Sequence, residues 1–177
     1  AAERMEYRIG KRMEVLDRHV RRIAAKNPQD LPDLHAIPED MVIYRYVNDT
    51  LQAWSNQFSV LNDDIASKLV FQRLTSHKNR IISPLMDVGP DFSFLNLGPK
   101  WYIVKAVTGD YNDKIIAGIE IKNTLIDDIR GSDNGVNPRL KLPERYTVLP
   151  LNHSGGSAVE INGQPLFKVL CDSNSEA

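Results

Sequence analysis

FSFLNLGPKWYIVKAVTGDYNDKIIAGIEIKN, residues 92–123, decides the fold. Three apolar, β-prone runs lie close together in it: Phe92–Leu97, Trp101–Val107 and Lys114–Ile121. The first joint is Gly98-Pro99-Lys100 and the second is Thr108-Gly109-Asp110-Tyr111-Asn112-Asp113. Glycine, asparagine and aspartate accept positive φ and proline pre-sets a turn, so both joints read as hairpin connections. In the third run Ile115, Ala117, Ile119 and Ile121 fall on one side, with Ile116, Gly118 and Glu120 on the other. The block is therefore predicted as a three-strand antiparallel meander at the centre of the fold.

Upstream, residues 3–26 carry the strongest helical signal. Met5, Ile9, Met13, Leu16, Val20 and Ile23 recur at spacings of four, four, three, four and three, a narrow apolar stripe on a polar helix. Such a stripe suits packing on its own domain and equally a two-helix seam between copies. Asn27-Pro28 ends the helix, and a proline-containing connector over residues 29–40 follows. Met41–Val47 and Thr50–Asn56 read as a hairpin across Asn48-Asp49. Asn62-Asp63-Asp64 is placed to cap a helix through Ser76, although Val70-Phe71 also suits a strand. Residues 78–91 form another connector.

Beyond the meander, Thr124–Ile129 reads as a short helix and Gly131–Pro143 as a loop. Tyr146–Leu151 is a predicted strand. Val159–Ile161 and Leu166–Leu170 form a last hairpin over Asn162-Gly163, the strongest turn signal in the chain. The expected class is α+β: an antiparallel sheet of about five strands, a long N-terminal helix and a C-terminal β-hairpin extension. The divisions drawn are residues 1–27 as a signalling or dimerisation helix, 28–171 as the main domain and 172–177 as a frayed tail.

At 177 residues the chain has the length of one domain with a sizeable core. Its net charge of −1 points to no class of partner, but the charge is unevenly spread. Residues 1–26 hold eight Lys/Arg and four Asp/Glu, about +4, leaving about −5 elsewhere. The single Cys171 excludes an internal disulfide and any multi-cysteine metal site. No run of about 20 apolar residues crosses a membrane, and the abrupt helical start suggests a piece of a longer chain.

Several stretches resemble the extracytoplasmic sensor segment of membrane-bound histidine kinases of the Bacteroidetes type, a PAS/Cache (PDC)-like module. They are Leu51-Gln52-Ala53-Trp54-Ser55-Asn56 with Asn62-Asp63-Asp64, Asn96-Leu97-Gly98-Pro99-Lys100-Trp101-Tyr102-Ile103-Val104-Lys105, Ile119-Glu120-Ile121-Lys122-Asn123, and Asn137-Pro138 with Leu142-Pro143. The likeness spans most of residues 1–170, and its motifs are short. It implies a periplasmic location, with the parent chain anchored in the inner membrane by spans on either side. It also implies a cytoplasmic protein-histidine kinase, a phosphotransferase using ATP and Mg, acting on a response regulator. Catalysis and cofactors would belong to that absent part and not to these residues. Implied partners are a small-molecule ligand of unknown identity and a second copy joined through the helix, with Met5, Ile9, Met13, Leu16, Val20 and Ile23 as the dimer seam.

Alternative readings keep the sensor module but attach it to a chemoreceptor or a cyclase, or make the chain a soluble adaptor or nucleic-acid-associated protein using its basic helix. The last finds little support, since no nucleic-acid motif accompanies the helix and acids stand at pairing distance, as in Glu14–Arg18 and Asp17–Arg21. Enzyme chemistry finds less. His19, His35, His77 and His153 lack metal-ligand spacing, and no CxxC, HExxH, GxGxxG or GxxxxGK[ST] is present. His19 precedes Val20-Arg21-Arg22 and does not match a phosphoacceptor motif. Ser154 beside His153 lacks a G-x-S-x-G elbow. A ligand pocket on the sheet is expected from Trp54, Arg73, Trp101, Tyr102, Lys105, Asp110 and Tyr111, apolar bodies with a few polar groups.

Overall fold

The run with the clearest alternation becomes the central strand of a five-stranded antiparallel sheet. The computed structural model describes residues 1–30, 36–48, 50–54, 88–97, 99–125 and 134–171. A helix α1 (Ala2–Ala24) precedes strands β1 (Met41–Val47), β2 (Thr50–Trp54), β3 (Ser93–Leu97), β4 (Lys100–Thr108) and β5 (Asp113–Asn123). Their order across the sheet is β2-β1-β5-β4-β3. Both joints are hairpin connections as the sequence predicts, but Lys100, Thr108 and Asp113, read as joint residues, belong to the strands. Leu97 pairs with Lys100 across the first joint, and Thr108 pairs with Lys114 across the second. Asn48 and Asn112 adopt the left-handed φ of 49° and 54° that their turns require.

β5 pairs with β1 and β4 along its two edges, both its faces are covered, and its alternation separates two cores. Ile115, Ala117, Ile119 and Ile121 join one cluster with α1. Ile116 joins the other with Val42, Tyr44, Tyr46, Tyr102 and Val104. A bulge interrupts the pleat where Trp101 pairs with Lys122 but Tyr102 pairs with Glu120. The unpaired residue is Ile121, and the extra residue brings both Ile121 and the Lys122 side chain to the helix side.

α1 lies across that first face. Met5, Ile9, Leu16, Val20 and Ile23 are at most 3% exposed, with Met13 partly buried. Burying five such side chains is worth on the order of 10 kcal/mol, comparable to the whole net stability of a domain. Of the two uses the stripe allowed, packing on its own domain is the one observed. The stripe is consumed by the protein's own sheet, and a second copy cannot use the same atoms without unfolding this layer.

The C-terminal part also exceeds the expected hairpin. β6 (Tyr146–Leu149), β7 (Ser157–Ile161) and β8 (Gln164–Cys171) form a three-stranded sheet in the order β6-β8-β7. Asn162 and Gly163 take φ values of 53° and 79° in the β7–β8 turn, as the Asn-Gly pair predicts. Val148, Val159, Phe167 and Val169 are buried in the same cluster as α1, so this sheet completes the core and is not an appendage. The Phe94 and Phe167 rings, 5.7 Å apart, join the two sheets. Among the described residues no helix is long and apolar enough to cross a membrane. Residues 62–76 lie outside the described residues, as does most of the expected helix 124–129.

Candidate functional site: the helix-to-sheet interface

α1 is bound to the sheet by polar ties set among its apolar contacts. Near its middle, Arg12 Nε donates to Asp40 Oδ2 at 3.0 Å, and its Nη2 reaches Asp40 Oδ1 at 2.5 Å. This is the paired geometry in which a guanidinium binds a carboxylate best. Asp40 immediately precedes β1 and its side chain is 2% exposed. Asn137 fixes the other side of the carboxylate: its Nδ2 donates to Asp40 Oδ2 at 3.0 Å and to the Glu120 carbonyl at 2.8 Å. Its backbone N–H donates to the Ile121 carbonyl, next to the bulge. The Asn137 Oδ1 caps the short 3-10 turn Pro138–Leu140 through Arg139 N. One side chain thus locks helix, strand and loop together.

One turn farther along, Asp17 binds Lys105 of β4. At the helix end, Arg45 of β1 is 2% exposed. Its Nη1 donates to the Ile23 carbonyl at 3.0 Å and its Nη2 to the Lys26 carbonyl at 2.9 Å. These carbonyls lie in the last turn of α1 and just beyond it, where a cation also meets the negative end of the helix dipole. Arg45 Nε donates to Asp113 Oδ2 at 2.7 Å, so its charge is matched. Gly109 leaves room for that carboxylate: a Cβ there would lie 2.1 Å from Asp113 Oδ1. A fourth tie joins α1 to the second sheet, with Glu160 N donating to Glu6 Oε1 at 2.8 Å.

Beside the Asp40–Asn137 hub a cleft of about 240 Å³ opens, lined by Glu39, Lys100, Glu120 and Arg139 among others. Lys100 Nζ stands 3.2 Å from Glu120 Oε1, although the alignment falls short of a hydrogen bond for that buried oxygen. On α1 itself, His19 has a lowered pKa. Partial burial disfavours its charged form first, and the guanidiniums of Arg22, Arg18 and Arg12 add repulsion. Arg22 Nη2 lies 3.3 Å from His19 Nδ1; a neutral ring accepting at that nitrogen fits this contact.

The expected pocket residues do not converge. Trp101 and Lys105 face the helix, while Tyr102, next to Trp101 on the same strand, is 2% exposed in the opposite core. The pleat alone forces that separation. Trp101 stands edge-on to Phe94 at 5.6 Å, with Lys122 Nζ 5.0 Å above its ring. Lys105 is held by Asp17 and lies 5.1 Å from the Phe92 ring. Both therefore have structural partners. Asp110 and Tyr111 are exposed in the β4–β5 turn, with the Tyr111 ring 5.9 Å from Arg45 Cζ. Trp54 is placed by its backbone, paired with Tyr44, and Arg73 lies outside the described residues.

The sequence also carried signals that the motif reading missed. Arg45 is a charge inside the apolar run Met41–Val47, and a charge at an inward strand position needs a buried partner. Asp113 stands within a turn signal, and Asp40 and Asn137 within connecting stretches. The expected helix pairs are likewise redistributed. Asp17 pairs with Lys105, and Glu14 lies 3.8 Å from Lys11. Arg21 Nε donates to the Asp17 carbonyl. No group of three or more His, Cys, Asp or Glu side chains among the described residues is arranged to hold a metal ion.

No protein-family model matches the chain, and neither a curated protein nor a solved structure matches it significantly.

Proposed function

We propose that the chain is the extracytoplasmic signal-reading domain of a membrane-bound sensor histidine kinase, with a PAS/Cache-like sheet. The observation that carries this reading is the strand order β2-β1-β5-β4-β3 behind a long N-terminal helix. A hairpin, an intervening segment and a meander in that order are the arrangement of PAS-like sheets, and the leading helix is that of their extracytoplasmic Cache variety. The interface described above supports a mechanism. A ligand or stress favours one arrangement of the sheet and its loops, and the ties at Asp40, Lys105 and Arg45 bias the helix accordingly. A signal passes only insofar as the ligand binds the two arrangements with different affinity.

The same domain serves equally well ahead of a chemoreceptor or cyclase output, and the coding sequence downstream separates these. For the adaptor or nucleic-acid reading, Arg12 is committed to Asp40 while Arg21 and Arg22 make contacts only within the helix, so salt-dependent binding to DNA or RNA decides it. The proposal is tested by the gene on both sides of residues 1–177. It requires a hydrophobic span of about 20 residues upstream and another downstream, followed by a kinase. Flanks without such spans overturn it.

A further inference from the structure

We infer that the cleft between the first turns of α1 and residues 140–146 binds a compact multivalent anion of the phosphate class. Its volume is about 330 Å³, and its walls carry Arg4, Arg8, Lys141 and Arg145 with no acidic side chain among them. Arg12, Arg45, Lys100 and Lys105 each face a carboxylate; the four in the cleft, like Arg18, Arg21 and Arg22, have no ion-pair partner among the described residues, and they differ in lining one concavity together. Arg4, Lys141 and Arg145 are exposed and Arg8 is half-buried, so an anion entering the cleft meets four like charges of opposite sign to its own. The floor is Met5, Leu140, Leu142 and Tyr146, low-dielectric surface that strengthens any charge–charge contact above it.

A second observation concerns Lys141. It follows the 3-10 turn with φ 51° and ψ 40°, a left-handed conformation that glycine adopts without cost and a lysine does not. Lysine at that position is backbone strain retained together with a cation on the cleft wall. Arg145 Cζ lies 5.4 Å from the neighbouring Tyr146 ring, and a guanidinium stacked on a ring keeps its N–H edge for a planar pair of oxygens. The site stands whether or not the domain is a sensor.

The experiment is calorimetric titration of the 177-residue protein with pyrophosphate at low ionic strength, repeated at physiological salt. Saturable one-to-one binding that weakens with salt is expected. Arg4→Ala with Arg145→Ala lowers affinity by at least about tenfold, the usual effect of losing a charge-assisted contact. Arg18→Ala with Arg21→Ala, on the same helix but outside the cleft, leaves it unchanged. Lys141→Gly separates binding from folding: the melting temperature holds or rises as the strain is relieved, while affinity falls. Phosphate also occurs on lipid headgroups, so vesicles containing phosphatidylglycerol form a second arm. Binding only to vesicles, lost in the Arg4/Arg145 variant, assigns the phosphate to a headgroup; binding to pyrophosphate assigns it to a soluble ligand. Absence of binding in both arms overturns the inference, as does an equal loss in the Arg18/Arg21 control.

Discussion

Replacing Arg45 by Met keeps the length and apolar stem of the side chain and deletes its charge. The structure then holds the Asp113 carboxylate, 0% exposed, without its cation, and the Ile23 and Lys26 carbonyls without their donors. Removing one partner of a buried ion pair costs about 3–5 kcal/mol, because the remaining charge is still desolvated. The Tyr111 N–H donating to Asp113 Oδ1 at 3.2 Å compensates only in part. For a domain of this size each kcal/mol moves the melting temperature by about 2–4 °C, so a loss of roughly 6–20 °C is expected. Urea unfolding followed by circular dichroism measures the change directly. Asp113→Asn completes a double-mutant cycle, and the double variant is expected to be less destabilised than the two singles added together. A loss below about 1 kcal/mol for Arg45→Met, or strict additivity in the cycle, would falsify the claim that this pair anchors the helix end.

Other consequences follow from the same contacts. His19 has a lowered pKa in the folded chain, so the unfolded chain takes up a proton first as pH falls. The neutral ring's contribution is fully present above the unfolded value and is lost as pH drops through the folded one. Melting temperature should therefore decline between about pH 7.5 and 5.5, less steeply in His19→Gln, and identical slopes would contradict the lowered pKa. Gly109→Ala places a methyl group against the Asp113 carboxylate and should cost about 1–3 kcal/mol in urea unfolding. Gly118→Ala meets the Val104 and Val42 methyls at 2.9 and 3.1 Å and the Ile103 carbonyl at 3.3 Å, and overpacking these buried neighbours should likewise cost about 1–3 kcal/mol. Leu16→Asp puts a charge into a fully buried position; gel filtration and circular dichroism should show an unfolded chain, whereas a folded monomer arising from a wild-type dimer would restore the seam.

The strands were legible because their signals are local. Alternation in Ile115–Ile121 and the Asn-Gly turn at Asn162-Gly163 each specify geometry within a few residues. The α1 stripe was equally legible, but a stripe records that a face is buried and not what covers it. Only tertiary packing assigns it to the sheet. The site was harder to read for the same reason. Asp40 and Asn137 are 97 positions apart, and Arg45 and Asp113 are 68 apart; no spacing rule connects such pairs. The pocket expected around Trp101, Tyr102 and Lys105 put Tyr102 with two residues of the opposite face, which the two-residue period of a strand separates.

Under the proposed sensor-kinase function, transmission from sheet to helix is tested most directly by autophosphorylation of the full-length chain in membranes, comparing wild type with Asp17→Asn. This variant loosens the Lys105 tie, whose side chains are only 15% and 34% exposed, at a cost of about 1 kcal/mol. The domain stays folded, while a two-state signalling equilibrium biased by that tie shifts by about fivefold. The account predicts a changed basal phosphorylation level at unchanged protein abundance. The same level in both proteins would contradict it.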